Sequence, residues 1–385
     1  MVTPLLPWRE PEVLRAPGAL RLLPQRIRED QLDTVLVVTD AGIVNAGLVT
    51  PLLQGLAEVG ISSHVYDGTL PNPTAEQVEE ALSVYLNNRC QGVVAIGGGS
   101  PMDCSKGVAV RLAHLRRPLA KSAGVLRVLR RLVPLYAIPT TAGTGSECTL
   151  AAVISDEATH RKYAIMDTPL IPTVAVLDPE LTLSLPPHIT AATGMDALTH
   201  GIEAYIGRSN TAATRRDAVE AVTLIMKHLP QAYHHGSDMT ARRAMLEASY
   251  LAGRAFTRAY VGNVHAIAHT FGGFAGVPHG LANAVILPHV LEWYGGAVLP
   301  QLDRLAQEAG VAPDGIELIT AIRALNQDMN IPTYLDPPPE NHLPHMVEQA
   351  FREANPLYPV PRVCSRDDFF DLFRRVTNTR DQGDA

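Results

Sequence analysis

Gly92 to Ser100 reads GVVAIGGGS, an apolar run that passes directly into three glycines and a serine. A short run that is apolar on both faces reads as a strand buried in a parallel sheet. The glycines leave backbone N–H groups bare where the chain turns into the next element. Pro101 and Asp103 follow, so Ser100-x-x-Asp predicts a helix opening at Pro101 with Ser100 as its cap. Bare N–H groups at the positive end of a helix suit a pyrophosphate. The spacing is not the G-x-G-x-x-G of a standard Rossmann turn.

The same alternation continues on both sides. Thr34 to Thr39, Ser63 to Tyr66 and Leu135 to Ile138 are strand-like, and Thr74 to Asn87 carries Val78, Leu82 and Tyr85 at helical spacing. From about Pro187 the β-type runs stop. Long Ala-, Leu- and Glu-rich stretches follow, such as Ala212 to Leu229 and Met239 to Phe256. The expected organisation is an α/β domain over 1–187 with a parallel sheet, then an all-α domain over 188–385.

Composition agrees with a large core: 385 residues, 46% hydrophobic and 18% charged. A formal charge of −7 lacks the positive field of a nucleic-acid binder, so no nucleic-acid partner is expected. Cys90, Cys104, Cys148 and Cys364 form no C-x-x-C pair, which fits a reducing cytoplasm. The first ten residues lack the form of a targeting signal, and no apolar stretch is long enough for a membrane span.

Two further strand ends carry candidate ligand contacts. Thr140 to Glu147 reads TTAGTGSE, a hydroxyl-rich flexible loop, and Asp40 closes the run TVLVVT. An acid there accepts hydrogen bonds from a ribose 2′-OH and repels a 2′-phosphate, although an acid before Gly42 is also an ordinary turn former. Three such features on one sheet edge favour a dinucleotide. In the second half, Asp196 and His200 stand at i and i+4 with Glu203 nearby, opposite an apolar face of Met195, Leu198, Ile202 and Tyr205. A solvated polar stripe is the plain alternative. His265, His269 and His279 cluster further on. One carboxylate with three imidazoles suits Fe²⁺, Zn²⁺, Mn²⁺ or Co²⁺, and spacing alone leaves His269 and His279 both open as the last ligand.

With these segments in view, the chain resembles the iron-containing, group III alcohol dehydrogenase family over roughly residues 30–295. The resemblance rests on PNPT at Pro71, GGGSPMDCSKG at Gly97, PTTAGTGSE at Pro139, ATGMDALTHGIEAY at Ala192 and the histidine-rich stretch from His265 to Val290. It implies a dehydroquinate-synthase-like architecture, a nucleotide-binding α/β domain followed by a helical metal-binding domain with the active site in the cleft between them. It implies Asp196, His200, His265 and His279 as metal ligands, with His269 near the substrate as a proton relay. The implied cofactor contacts are Asp40, Asn72, Gly98, Gly99, Ser100, Asp103, Thr140, Thr141, Thr144 and Lys162.

The implied activity is reversible hydride transfer between a small alcohol or aldehyde and NAD, with Fe²⁺, or Zn²⁺ or another divalent ion, polarising the substrate oxygen. A cytoplasmic homodimer without membrane contact is the expected form. The rivals on the same architecture are a hydroxyacid-oxoacid transhydrogenase, a dehydroquinate-synthase-type lyase and a polyol-phosphate dehydrogenase; a non-catalytic metal or nucleotide sensor is the rival from another class. One departure from the family pattern is Thr270, expected only to tune the pocket. The larger one is Cys104 to Ser146, with eight Lys or Arg and no Asp or Glu. It reads as a solvated face or as an anion site.

Overall fold

The structure, a computed structural model, describes residues 9–156 and 161–379. Most of the opening segment read for targeting signals, and the charged tail from 380, lie outside the described residues. The chain divides into two compact units on either side of the Ser184–Leu185 bond.

The first unit is built on β1 (Glu12–Arg15), β2 (Thr34–Val38), β3 (Ser62–Tyr66), β4 (Gly92–Gly97), β5 (Gly124–Val125), β6 (Leu135–Pro139), β7 (Ala151–Asp156), β8 (Arg161–Met166) and β9 (Val174–Leu177). Its helices are α1 (Leu23–Glu29), α2 (Ala41–Asn45), α3 (Thr50–Glu58), α4 (Ala75–Asn87) and α5 (Gly99–Ala113). Six strands form a sheet in the order β1-β9-β6-β4-β2-β3, every pair parallel. Parallel strands need both faces covered, and alternate side chains provide for that. Leu36, Val38, Val93 and Leu135 pack with Val78, Leu82 and Val108 of α4 and α5. Val35, Val37, Val94, Ile96 and Ile138 pack with Ile27, Leu52 and Leu56 of α1 and α3.

Register sets Gly97 of β4 beside Pro139 of β6, and Ala95 beside Val38 of β2. The carboxyl ends of three central strands therefore stand side by side. A smaller sheet, β5-β8-β7, carries the antiparallel pair β7 and β8.

One local expectation fails. The helix after the glycines starts at Gly99, with extended Gly98 as its N-cap, so Ser100 lies inside the first turn and makes no cap hydrogen bond. Pro101 is tolerated there because N–H groups of the first turn have no partner within the helix. An extended glycine cap needs no side chain, and this start moves the free N–H groups closer to the strand end.

The second unit is helical: α6 (Pro187–Ile206), α7 (Ala212–His234), α8 (Met239–Ala259), α9 (Asn263–Ala275), α10 (His279–Tyr294), α11 (Leu299–Ala309), α12 (Gly315–Asp328), α13 (Leu343–Ala354) and α14 (Arg366–Val376). Helix α6 is enclosed, and its polar residues Asp196, His200 and Glu203 are buried along with its apolar face. The solvated-stripe alternative is thereby removed. Among the described residues, no helix is long and apolar enough to cross a membrane.

Candidate metal centre and nucleotide edge

Three helices bring the metal candidates together. Asp196 comes from the middle of α6, His265 and His269 from the first two turns of α9, and His279 from the first position of α10. The backbones of α6 and α10 approach so closely that a Cβ on Gly280 would lie 2.2 Å from the carbonyl oxygen of Ala192. Glycine at 280 is what lets His279 reach the carboxylate. Asp196 Oδ1 stands 3.4 Å from His279 Nε2 and 3.8 Å from His265 Nε2.

One donor atom from each of Asp196, His265 and His279 lies within 4.8 Å of the others. The His200 ring is stacked between Phe256 and His265, at centroid distances of 4.1 and 4.5 Å. It is adjacent to this donor trio but not part of it.

The donor set fits a divalent cation. Burial and the neighbouring imidazoles hold His265 well below its ordinary pKa, so its ring is neutral and offers a lone pair. Its Nδ1 faces Glu203 Oε2 at 2.6 Å, which leaves Nε2 turned toward Asp196. The Asn283 amide donates to Asp196 Oδ1 at 2.7 Å and lies 3.2 Å from both His265 Nε2 and His279 Nε2. A weak donor thus sits among three converging acceptors, the electrostatic complement of a cation site.

Glu203 was visible in the sequence only as part of a polar stripe. Its Oε2 accepts from Gly262 N at 2.8 Å and its Oε1 from Val264 N at 2.9 Å, in addition to the His265 contact. Burial pushes its carboxyl up to about 8, against hydrogen bonds from Gly262, Val264 and His265 that pull the other way. Glu353 was not found from sequence at all. It comes from α13 and meets His269 Nδ1 at 2.5 Å while accepting from the Tyr358 hydroxyl at 2.6 Å. The His269 ring stacks on His279 at 5.1 Å.

In the first unit, the carboxyl edge of the large sheet gathers most of the predicted nucleotide contacts. Asp40 caps α2 by accepting from Ile43 N at 3.0 Å, and its other oxygen lies 3.5 Å from where a Gly97 Cβ would stand. The turn-former reading and the ribose reading of Asp40 are therefore compatible. Gly98 faces Thr141 and Gly99 faces Thr144, whose methyl would meet a Gly99 Cβ at 2.8 Å. Thr140 donates its N–H to Gly97 O at 3.0 Å, and its buried hydroxyl has no partner among the described residues. A bare cradle with an unsatisfied hydroxyl at its wall fits a polar ligand such as a dinucleotide.

Asn72, in a left-handed backbone conformation at φ 61°, accepts from Lys162 Nζ at 2.7 Å. Asp103 turns its carboxylate to Ser146 Oγ and Val153 N, both at 3.1 Å, and burial raises its pKa to about 6. The basic segment spends much of its charge locally. Arg111 pairs with Glu79 and donates to three carbonyl groups, Arg117 donates to the carbonyls of Lys121 and Arg127, and Arg130 to that of Ala113. Lys106 is buried.

Comparison with known proteins decides the family. Residues 11–179 match the iron-containing alcohol dehydrogenase model, and residues 190–377 match the C-terminal model of the Fe-containing alcohol dehydrogenase family. The chain belongs to the iron-containing alcohol dehydrogenase family. It is 38% identical to the 1,3-propanediol dehydrogenase of Citrobacter freundii, across 94% of this chain and 95% of that protein.

A solved 1,3-propanediol oxidoreductase superposes with a TM-score of 0.91 at 36% identity, covering 96% of this chain and 99% of the other. A sulfoacetaldehyde reductase from Bifidobacterium kashiwanohense, solved in complex with NAD⁺, gives 0.87 at 29% identity over 97% and 99%. Family and fold thus agree with the expected parallel-sheet unit followed by a helical unit. The chain is an oxidoreductase of the metal-dependent, NAD-linked alcohol dehydrogenase and aldehyde reductase type.

Proposed function

We propose that Asp196, His200, His265 and His279 hold a divalent metal, Fe²⁺ first and Zn²⁺ as an alternative, in the reversible NAD-linked oxidation of a small alcohol. The supporting observation is the convergence of three donors from three helices on one point. His200 joins the set on the family resemblance and on its stacking against His265. A divalent ion held there supplies Lewis acidity toward the substrate oxygen.

The chain's own residues prepare that site. Glu203 holds the His265 ring with its Nε2 toward Asp196, and Asn283 restrains the carboxylate. His269, its Nδ1 held by Glu353, carries a proton between substrate and solvent. In the first unit, Asp40 selects NAD over NADP, since its carboxylate beside the glycine turn repels a 2′-phosphate. Gly98, Gly99, Ser100, Thr140, Thr141 and Thr144 receive the phosphates, with Asn72, Asp103 and Lys162 completing the contacts.

A small uncharged alcohol or diol, such as the propanediol named for the Citrobacter relative, is favoured over an anionic substrate. Arg111, Arg117 and Arg130 are already engaged with the main chain or with Glu79. The four buried thiols fit a cytoplasmic home, and a homodimer follows the family resemblance.

Elemental analysis joined to an NAD-linked screen of alcohols and aldehydes tests the proposal. The expected results are bound iron or zinc, turnover abolished by chelation and restored by Fe²⁺ or Zn²⁺, and preference for NAD that Asp40→Ala relaxes. Turnover untouched by full metal removal contradicts it, and an unaltered rate and pH profile in His269→Ala removes the relay.

A further inference from the structure

Helix α5 carries a lysine that the proposed chemistry leaves without a task. Lys106 is buried, yet its Nζ is surrounded by acceptors: Ser146 O at 2.7 Å, Ala151 O at 2.8 Å, and Ser146 Oγ, Thr149 O and Thr149 Oγ1 each at 3.0 Å. All of them belong to the stretch 146–151 that follows the loop TTAGTG. Ser146 is gripped twice, because its hydroxyl accepts from Lys106 and donates to Asp103 Oδ1. One residue pair on α5 therefore fixes the point where the loop ends. The Ser146 N–H in turn reaches Thr144 Oγ1 at 3.3 Å, and Thr144 leans on Gly99 at the helix start.

We infer that Lys106 is a positioning residue for the dinucleotide: its ammonium cross-links α5 to the 146–151 stretch and so holds the threonine loop against the helix N-terminus. The inference rests on the reading that this sheet edge takes NAD. A buried ammonium bound to the main-chain carbonyls of Ser146, Thr149 and Ala151 fixes three points of one stretch at once, which no neutral side chain of similar length does. The charged or titratable groups around it are Asp103 on α5, Glu147 and Cys148 on the turn after the loop, and Lys162 beside Asp103.

The test uses the full chain with its metal in place. For Lys106→Met, NADH affinity measured by fluorescence titration without substrate is expected to weaken about tenfold, equivalent to ~1.4 kcal/mol. KM for NADH should rise by more than kcat falls. In the nucleotide-free protein, amide exchange over 140–146 should quicken, with metal content unchanged.

A folded Lys106→Met protein with the parent's NADH affinity and exchange pattern overturns the inference. Should that variant fail to fold, Ser146→Ala, which keeps the carbonyl contacts and deletes only the shared hydroxyl, is expected to weaken NADH about threefold, ~0.65 kcal/mol. An unchanged affinity there overturns it equally. In the parent protein, NADH must slow exchange at 98–100 and 140–146. Absence of that protection removes the nucleotide reading itself, whereas protection with unaltered variants removes only the role of Lys106.

Discussion

Two buried charges one helical turn apart give the nucleotide edge a working range in pH. Burial raises Asp103 to about 6 from 3.8 and lowers Lys106 to about 8 from 10.5. Between these values both are ionised and the grip on Ser146 is intact. Below about 6 the Asp103 carboxylate takes a proton and weakens as an acceptor for Val153 N–H. Above about 8 Lys106 gives up a donor and its charge.

NADH affinity should therefore peak between about pH 6 and 8 and fall on both sides, as a fluorescence titration series will show; a flat profile from about pH 5 to 9 contradicts it. The stability signs are the reverse of an ordinary salt bridge. The Lys106 folded value lies below its unfolded one, so its burial cost is present below about 8 and disappears as pH rises toward 10.5. The Asp103 cost is present above about 6 and disappears as pH falls toward 3.8. Both residues were quoted in the motif GGGSPMDCSK, but a sequence shows neither burial nor the carbonyls that surround them.

Among the helices, Glu203 does two tasks at once. From α6 it caps the N-terminus of α9 through Gly262 and Val264, and it holds the His265 ring two residues into that helix. Capping and metal preparation are thereby linked. Glu203→Gln keeps the shape but replaces one of the two oxygens that meet Gly262 N, Val264 N and His265 Nδ1 with an NH2 donor, so metal affinity should drop about 10–100-fold. Competition against a chromophoric chelator measures this, and parental affinity in a folded variant disproves the assignment.

Element periodicities were largely readable. β2, β3, β4, β6 and α4 appear close to where apolar alternation and helical spacing set them, because those patterns depend on near neighbours. The start of α5 was misread because a serine before proline imitates a cap, while the cap in use is a glycine, which has no side chain to read. Glu353 was out of reach for another reason. It meets His269 only because α13 packs on α9, a pairing of residues 84 apart in sequence.

Taken whole, on the proposed reading the two units receive different ligands, a metal in the helices and a dinucleotide at the sheet edge. Ligands that bind only the folded state stabilise by mass action, about 2.7 kcal/mol at a hundredfold excess over Kd. Metal removal should therefore lower the thermal midpoint and speed amide exchange in α6, α9 and α10 while leaving β2, β4 and β6 as they were. Calorimetry with exchange mass spectrometry checks this, and uniform loss of protection across both units counts against it.

Motif resemblance pointed to the enzyme family, while composition and short-range pattern alone determined the order of the two units, the parallel sheet and the residue types able to hold a cation. These follow from local spacing, since i and i+4 share a helix face and alternate residues share a strand face. Only the tertiary structure decided that Asp196, His265 and His279 share one point while His200 stacks beside them, that Glu203 and Glu353 stand behind His265 and His269, and that Lys106 grips the stretch 146–151. Convergence of that kind is set by how helices pack, and packing joins residues whose separation along the chain carries no trace of their distance in space.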